Sequence, residues 1–503
     1  MKICFLLQRR FAYIGHEIAK ILKEDYGVKE FCGYSYMRSS FNFLKSQTDI
    51  KYTQLLHDEE IHKQYKTEKL DLDFLRSLEE NYGLPNLWPY IYIDRIVRYN
   101  MFLREYPYDT PSYTHEEMLK ILQIRARAII KFFDEEKPEV VIFSLVGGIA
   151  DMLLYEIARK RGIKTLVLYQ TRVGIRQTVS QEYGTFSYVI DVFKKLQSGQ
   201  NADPRYHQEA QTFLNEFRNK PTPYSNIDTP DLKPVTRRKQ FKFLIPNNLI
   251  RGISWIFTVW KNYLLNPHRD DYDTVKPWHY LIDKIRRKLR ILVGFEKFYD
   301  EPDYTEDYAF FPLQYEPEKA SMLYAPFYTD QLWLAKLFAR SLPANYKLYI
   351  KEHPAMFGFR THKYYKELKK IPNVKIVRPT LKSFDLIRRT KLTITTTGSG
   401  GWESILFKKP VITFGKVFYN ELSAVKHCSN PEILPFIVRD QLTNHKHNEK
   451  ELLNMLTAIC QESAIMDIVR MWDVEGAANM DKKGDQLSPL VNYIAQKLNL
   501  PAK

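Results

Sequence analysis

The chain has 503 residues, which is too long for one ordinary hydrophobic core, so two domains are expected. Hydrophobic residues make up 44% and charged residues 27% of the chain, which is a globular composition. The net charge of +16 favours an anionic partner, namely a substrate, a membrane surface or a nucleic acid.

The four cysteines are scattered, without a Cys-x-x-Cys pair or a cluster with histidine, at Cys4, Cys32, Cys428 and Cys460. This spacing indicates buried thiols in a reducing compartment and argues against structural zinc. Only five apolar residues follow Met1 and Lys2, which predicts a first strand and not a signal peptide. No stretch is apolar over the length of a membrane span, so we expect a cytoplasmic protein.

The first half of the chain alternates strand and helix patterns. Its predicted elements are a strand at 3–7, a helix at 13–25, a helix at 116–135, a strand at 140–143, a helix at 149–160 and a strand at 165–169. The last three form a βαβ unit. The sequence therefore predicts an N-terminal Rossmann-like domain at residues 1–196, with a helical insertion at about 35–114.

Asp151 lies at the start of the predicted helix that follows the second of these strands. A carboxylate at this position interacts favourably with the helix dipole, a contribution below about 1 kcal/mol. The same position faces the carboxyl edge of the sheet, where open α/β sheets bind ligands. Asp151 is therefore either a helix-start charge or a catalytic carboxylate of the first domain.

The middle of the chain, residues 197–303, breaks the α/β rhythm and is predicted to be a helical, basic connecting segment. Residues 249–265 are apolar and aromatic, and a second, strongly basic helix follows at 283–292. One interpretation is an arm that lies on an anionic membrane surface, through residues 237–292. The other is a pair of helices packed on the core between the domains.

From residue 308 onward, strands again alternate with single helices and short turns, which predicts a parallel, doubly wound sheet. We assign this second Rossmann-like domain to residues 304–480 and a closing helix to residues 481–503. The fold class is therefore α/β, with two Rossmann-like parallel-sheet domains that face each other across a cleft and carry helical insertions.

A glycine-rich loop at residues 396–401 lies between a predicted strand and a predicted helix. Such a turn gathers backbone N–H groups at the positive end of a helix dipole, which favours phosphate. Its glycine spacing matches neither a Walker loop nor the dinucleotide fingerprint. The loop is thus either a phosphate site or a tight turn with hydroxyl caps.

Three loops of the second half follow predicted strands, and they read PLQYEPEKAS at 312–321, KEHPAMF at 351–357 and TTTGSGGWE at 395–403. Because the carboxyl ends of parallel strands lie on one edge, the three loops can converge on one ligand. Together they offer carboxylates, a lysine, a histidine and a glycine-hydroxyl cradle. These groups suit an activated phosphate ester whose bond to a sugar breaks.

The motifs PLQYEPE, KEHP and TTTGSGGWE resemble the bacterial capsule polysaccharide biosynthesis family, which includes Kdo transferases. The resemblance covers about residues 308–419 and the general plan of the first half. It implies a GT-B fold, with the acceptor on the first domain and a nucleotide-sugar donor mainly on the second.

The resemblance also implies roles for individual residues. Lys351 and His353 would contact the phosphate or ribose of the donor, and Glu403 the ribose. Gln314 and Glu316 would lie near the donor or a sugar carboxylate. We take Glu316 and Asp151 as the catalytic candidates. The predicted phosphate cradle consists of Thr396, Thr397, Gly398, Ser399 and Gly400.

We therefore expect a glycosyltransferase that moves a sugar from a nucleotide-activated donor, with CMP-Kdo as a candidate, to a surface or capsular polysaccharide or its lipid-linked primer. We expect no cofactor and no metal, because no Asp-x-Asp-like pair stands at a strand end. We also expect no nucleic acid partner, and contact with the inner face of the plasma membrane. The alternatives are a nucleotide-sugar epimerase or hydrolase of GT-B fold, and a noncatalytic polysaccharide- or nucleic-acid-binding protein.

Overall fold

The computed structural model describes residues 1–9, 11–103, 110–144, 147–223, 237–316, 318–467 and 486–502. The chain divides into two compact units. The first unit contains residues 1–94, 113–227 and 449–503, and the second contains residues 95–112 and 228–448.

The first unit is built on a seven-stranded sheet. Its strands are β1 (Lys2–Leu7), β2 (Glu30–Ser35), β3 (Tyr52–His57), β4 (Val140–Phe143), β5 (Lys164–Gln170), β6 (Arg176–Ser180) and β13 (Ala464–Ile465). Their order is β13-β6-β5-β4-β1-β2-β3. The five strands from β5 to β3 pair in parallel, whereas β6 and β13 add antiparallel ladders. The parallel part has the doubly wound order of a Rossmann-like sheet, with its switch point between β1 and β4.

Helices cover this sheet. They are α1 (Phe11–Tyr26), α2 (Arg38–Ser46), α3 (Asp58–His62), α4 (Leu72–Tyr82), α5 (Trp88–Tyr92), α6 (His115–Glu136), α7 (Ile149–Lys160), α8 (Ser187–Gln197), α9 (Pro204–Asn219), α18 (Glu449–Gln461), α19 (Ser488–Lys497) and a 3-10 helix at Lys63–Lys66. Helix α6 begins with a capping box between Thr114 and Glu117, which satisfies two N–H groups of its first turn.

The C-terminal part of the chain belongs to the first unit, which corrects the predicted domain of residues 304–480. Helix α18 packs on α8 and α9, and β13 pairs with β6. Helix α19 adds Leu490 and Ile494 to the hydrophobic core around β1 and α1. The end of the chain therefore completes the first sheet, which a boundary at residue 480 divides. That boundary lies outside the described residues.

Two further boundaries differ from the prediction. The helical insertion at 35–114 contains β3, which pairs with β2 as an edge strand of the sheet. Residues 95–112 belong to the second unit, where the ring of Phe102 lies 4.9 Å from that of His279. The segment 197–303 is also divided, because α9 packs with α18 in the first unit.

The second unit contains a six-stranded sheet. Its strands are β7 (Tyr308–Pro312), β8 (Lys347–Lys351), β9 (Val374–Val377), β10 (Leu392–Thr395), β11 (Val411–Thr413) and β12 (Val425–His427). Their order is β12-β11-β10-β7-β8-β9, and every pair is parallel. This is again the Rossmann order, with the switch point between β7 and β10. The predicted pair of Rossmann-like α/β domains is confirmed.

The helices of the second unit are α10 (Pro246–Leu265), α11 (Pro277–Val293), α12 (Lys319–Tyr324), α13 (Gln331–Ser341), α14 (His362–Lys369), α15 (Ser383–Arg389), α16 (Ser399–Leu406) and α17 (Leu434–Asn444), with 3-10 helices at Arg237–Leu244, Glu296–Phe298, Pro354–Met356, Phe418–Glu421 and Pro431–Ile433. Helix α10 buries none of its residues, contrary to the interpretation as a helix packed on the core. In the part of the chain that the structure describes, no helix is long and apolar enough to cross a membrane. All four cysteines are buried and free, as predicted.

Candidate functional site

The sheet order of the second unit brings the three predicted loops together. Strand β7 lies between β10 and β8, so the loops that follow these strands leave the sheet side by side at its carboxyl edge. The loop after β7 carries Gln314 and Glu316, the loop after β8 carries His353, and the loop after β10 leads into α16.

Gln314 joins the β7 loop to the β10 loop. Its buried side-chain amide donates a hydrogen bond from Nε2 to Oγ1 of Thr395 at 2.9 Å. The backbone N–H of Gly398 donates to the same oxygen at 3.1 Å. Gln314 therefore holds the glycine loop against the end of β7, and its contact with the donor stays a prediction.

The glycines of the loop allow close packing. A Cβ built on Gly398 would lie 2.5 Å from Nε2 of Gln314, and one on Gly400 would lie 2.9 Å from Cγ of Pro312. The first turn of α16 can rest on the end of β7 because these side chains are absent. Gly398 is the N-cap of α16, and no side chain caps that helix terminus. The N–H groups of the first turn thus lie at the predicted phosphate position.

The three remaining cradle residues differ in their environments. Thr396 is buried, and its hydroxyl has no hydrogen-bond partner among the described residues. Thr397 is buried against Gly415, where an added Cβ would lie 2.4 Å from Cγ2 of the threonine. Ser399 is half-buried as the first residue of α16. An unpartnered buried hydroxyl costs stability, so Thr396 is the residue of this group that a bound ligand would satisfy.

Lys351 ends β8 with a buried side chain that is only 4% exposed. Burial lowers the pKa of its ammonium to about 8, although the carboxylates of Glu352 and Glu403 act in the opposite direction. Among the described residues, no hydrogen bond or ion pair neutralises this ammonium. Glu403 lies half-buried in α16. A buried ammonium without a direct ion pair indicates a site prepared for an anion.

His353 begins the short 3-10 helix after β8. Its Nδ1 accepts a hydrogen bond from the backbone N–H of Ala355 at 3.2 Å. The neutral ring therefore carries its proton on Nε2, which makes this nitrogen a donor. The ring lies 5.2 Å from that of Tyr315 in the neighbouring loop.

A buried ionic network, which the sequence analysis missed, supports both loops. Arg360 is fully buried, pairs with Glu316 at 3.0 Å, and also pairs with Glu352. It donates a further hydrogen bond to the carbonyl oxygen of Gln314 at 3.0 Å. Glu352 in turn accepts from the backbone N–H of His353 at 2.8 Å and from the hydroxyl of Tyr365 at 2.8 Å. One guanidinium thus fixes the loops that carry Glu316 and His353.

These contacts bear on Glu316 as a catalytic candidate. One of its carboxylate oxygens accepts from the side-chain amide of Gln331, and the other pairs with Arg360. Burial raises the pKa of this carboxyl group, and Arg360 opposes that shift. Glu316 acts here as the counter-ion of Arg360, and its catalytic role stays a prediction.

Asp151, the candidate of the first unit, is the third residue of α7 and is fully buried. Its Oδ2 accepts from the backbone N–H of Gly147 at 3.0 Å, and its Oδ1 accepts from the hydroxyl of Tyr36. The contact with the N–H of Gly147 agrees with the interpretation of Asp151 as a charge at the start of a helix. The carboxylate also lies after β4, beside the switch point of the first sheet. Leu145 and Val146 of the intervening loop lie outside the described residues.

The first unit holds a second buried ionic group that was not predicted. Arg125 donates to both carboxylate oxygens of Asp58, at 2.9 and 2.7 Å, directly after β3. His62 lies beside it, and burial lowers the pKa of its imidazole to about 3, so the ring is neutral. The sequence feature that could have indicated this group is the run of three acidic residues at 58–60, which follows a stretch of alternating apolar and polar residues. Where the residues are described, no cluster of three or more His, Cys, Asp or Glu side chains suits a metal ion.

Replacement of Gly398 by alanine tests the packing role of the loop. We expect a loss of about 1–3 kcal/mol in the free energy of unfolding, because the methyl group would displace the amide of Gln314. Gly252 in α10 is the matched control, since an added Cβ meets nothing within 4 Å there. Gly252→Ala should raise stability by up to about 1 kcal/mol. Equal thermal shifts for the two variants would contradict the close contact.

Residues 259–423, about a third of the chain, match the family model described as "Capsule polysaccharide biosynthesis protein". No curated protein matches the chain. Among solved structures, the chain is similar to KpsC of Thermosulfurimonas dismutans, a β-Kdo 2,7 transferase, at 13% identity and a TM-score of 0.37 over 72% of this chain and 89% of that one. It is also similar to the UDP-GlcNAc 2-epimerase of Methanocaldococcus jannaschii, at 16% identity and a TM-score of 0.26 over 94% of this chain and 99% of that one. Residues 259–423, which include all three loops, are thus similar to the capsule polysaccharide biosynthesis family.

Proposed function

We propose that the chain is a glycosyltransferase that moves a sugar from a nucleotide-activated donor to a capsular or other surface polysaccharide, or to its lipid-linked primer. The observation that carries this proposal is the buried ammonium of Lys351, which has no direct ion pair among the described residues and ends β8 at the same sheet edge as the uncapped N-terminus of α16. The similarity of residues 259–423 to the capsule polysaccharide biosynthesis family supports the same activity.

The donor phosphate would bind at the sheet edge that carries three positive groups. Lys351 supplies a full charge, the first turn of α16 supplies N–H groups and a dipole, and His353 supplies the Nε2 proton. In the transfer step, the bond between the sugar and the phosphate oxygen breaks, and negative charge grows on that phosphate. Donors already in place stabilise this charge without rearrangement. We propose no cofactor and no metal in this step.

The acceptor hydroxyl needs a base. We propose Asp151 for this role, because it is a carboxylate at the switch point of the first sheet and Tyr36 holds it in place. Glu316 would act as a positioning residue that keeps Arg360 between the loops of the second unit. The donor base and sugar, with CMP-Kdo as a candidate, belong to the same proposal.

A lipid-linked primer is held at a membrane surface, so we include a peripheral position on the inner face of the plasma membrane in this proposal. Residues 237–292 would provide the contact. Nucleic acid has no part in it.

The test is a thermal shift of the full chain with CMP, UDP, GDP and their sugar conjugates, followed by product analysis with an oligosaccharide acceptor. Stabilisation by one base class and transfer to the acceptor are the expected results. Conversion of the donor without an acceptor would replace the transferase with an epimerase or hydrolase. Stabilisation by RNA with no response to any nucleotide sugar would end the proposal.

A further inference from the structure

The second unit presents a two-helix surface, residues 241–293, that consists of the end of the Arg237–Leu244 3-10 helix, α10, α11 and their connection. Helix α10 has no buried residue, and its contacts include α11 and the 3-10 helix. Helix α11 is anchored by Ile291, which is buried in the core of the second unit. The surface is therefore attached to the unit by one helix and exposed along the other.

Both helices expose a stripe of large apolar side chains. Neighbours along each stripe are mostly three or four positions apart, so they lie on one face of each helix. The exposed residues are Leu249, Ile250, Ile253, Ile256, Phe257, Trp260 and Leu264 on α10, and Trp278, Ile282, Ile285, Leu289 and Val293 on α11. Ile250 and Phe257 are 65% and 67% exposed, values far from those of a core residue.

The two stripes meet. The ring of Trp260 lies 6.5 Å from that of Trp278, so the apolar face of α10 continues into that of α11. Trp255 and Tyr263 of α10 are half-buried, pack on Tyr280 and Trp278, and hold the helices together. The result is one continuous apolar face with two aromatic residues at its centre. A continuous face of this kind marks an interaction site more strongly than scattered exposed residues.

The positive charge of the two-helix surface indicates which kind of partner it binds. Ten Lys and Arg residues stand against four Asp between positions 241 and 293. Lys284 and Lys288 lie over the rings of Trp255 and Phe243, each 3.2 Å from the ring centre. Two copies of this chain placed face to face would bring the same excess of cations together, which disfavours a dimer. Aliphatic and aromatic side chains bordered by cations instead suit the boundary between anionic headgroups and acyl chains.

We infer that residues 241–293 form the surface by which this protein docks on a membrane of anionic phospholipid. The apolar stripes of α10 and α11 enter the upper acyl region, and the surrounding lysines and arginines bind lipid phosphates. This inference rests on the membrane position included in the proposed function and deepens it, because it identifies the apolar face that docks and the class of lipid that it binds. It holds whether or not the donor assignment is correct.

The test is flotation of the full chain with vesicles of phosphatidylcholine alone or of phosphatidylcholine mixed with phosphatidylglycerol. We expect binding to the mixed vesicles and at least tenfold weaker binding to the neutral ones, since each basic residue near the surface contributes about 1 kcal/mol. The double variant Ile253→Asp with Phe257→Asp should lose at least tenfold in vesicle affinity, because two apolar anchors are removed. Phe436→Asp on α17, where the side chain is 74% exposed, is the matched control and should bind as the unmodified chain does.

A second pair of variants tests the charge. Lys261→Glu with Arg286→Glu, both exposed beside the stripes, should weaken binding to the mixed vesicles at least tenfold. Lys160→Glu with Lys195→Glu changes two exposed lysines of the first unit and should leave binding to the mixed vesicles unchanged. Absence of vesicle binding by the unmodified chain would overturn the inference. The inference would also be overturned if light scattering shows a dimer of the unmodified chain that the Ile253→Asp, Phe257→Asp variant abolishes. Thermal shifts with nucleotides should be the same in all these variants, which separates this test from that of the transferase.

Discussion

Replacement of Arg360 by methionine is expected to destabilise the second unit by about 3–5 kcal/mol, the cost of leaving buried charges without their partner. Arg360 is fully buried and pairs with both Glu316 and Glu352. Without the guanidinium, the fully buried carboxylate of Glu352 and the largely buried carboxylate of Glu316 lose the counter-ion that they share. Hydrogen exchange measured peptide by peptide should show the loss in the second unit, because each unit then reports its own opening free energy.

Two controls separate the buried charge from the loss of a side chain. Arg378→Met removes the exposed pair with Glu301 in the same unit and should cost about 1 kcal/mol or less. Adding Glu316→Gln and Glu352→Gln to Arg360→Met should recover much of the stability, because neutral amides need no counter-ion. If the triple variant is as unstable as the single one, the loss comes from packing and not from unpaired charge.

The alternation of strands and helices in the sequence predicts both sheets well. Short β-branched stretches such as Val140–Phe143 and Leu392–Thr395 are buried on both faces, so their composition alone marks them as central strands. Strand β3 lies at a sheet edge and is half-exposed, and its mixed pattern resembles an irregular segment. The return of α18 and α19 to the first unit is not encoded locally either. Their partners, α1, α8 and α9, lie more than two hundred residues earlier in the chain.

The site divides in the same way. The position of Lys351 and His353 at the sheet edge could be predicted, because Lys351 ends a strand and His353 follows it within one short motif. Arg360 could not, since its importance comes from Glu316 and Glu352, which only the folded chain brings to it. The glycines are predicted to form part of a phosphate cradle, which stays a prediction, and packing gives them a further role because their absent side chains make room for Gln314 and Pro312. Local sequence thus indicates which residues stand at the sheet edge, and tertiary packing decides what each of them contacts.

Lys351→Met is expected to make the free protein more stable and its nucleotide binding weaker. The pKa of Lys351 in the folded protein, about 8, lies below its value of about 10.4 in an unfolded chain. The unfolded chain therefore binds more protons between these two values, and stability rises with pH across that window. Below about pH 8 the full penalty is present, and it amounts to about 3 kcal/mol. Methionine removes it, so the difference between the two stability curves should be largest at pH 7 and vanish above pH 10.4.

Binding should move in the opposite direction. A nucleotide phosphate would give Lys351 a direct ion pair, and the loss of one charged hydrogen bond weakens affinity by about 10- to 100-fold. The affinity of the unmodified chain should also fall as pH rises above about 8, where the free ammonium loses its proton. Calorimetric titration with the nucleotide selected by thermal shift measures both effects.

Lys409 provides the matched control, because burial also lowers the pKa of its ammonium and it lies just before β11, at the amino edge of the same sheet. Lys409→Met should stabilise the protein in the same direction and leave nucleotide affinity unchanged. If the replacement of a residue raises stability and weakens binding, that residue contributes to ligand binding and not to the stability of the fold. Two results would contradict this prediction: a lower stability of Lys351→Met, or nucleotide binding as tight as that of the unmodified chain. The ammonium would then not belong to an anion site, and the anion site must lie elsewhere.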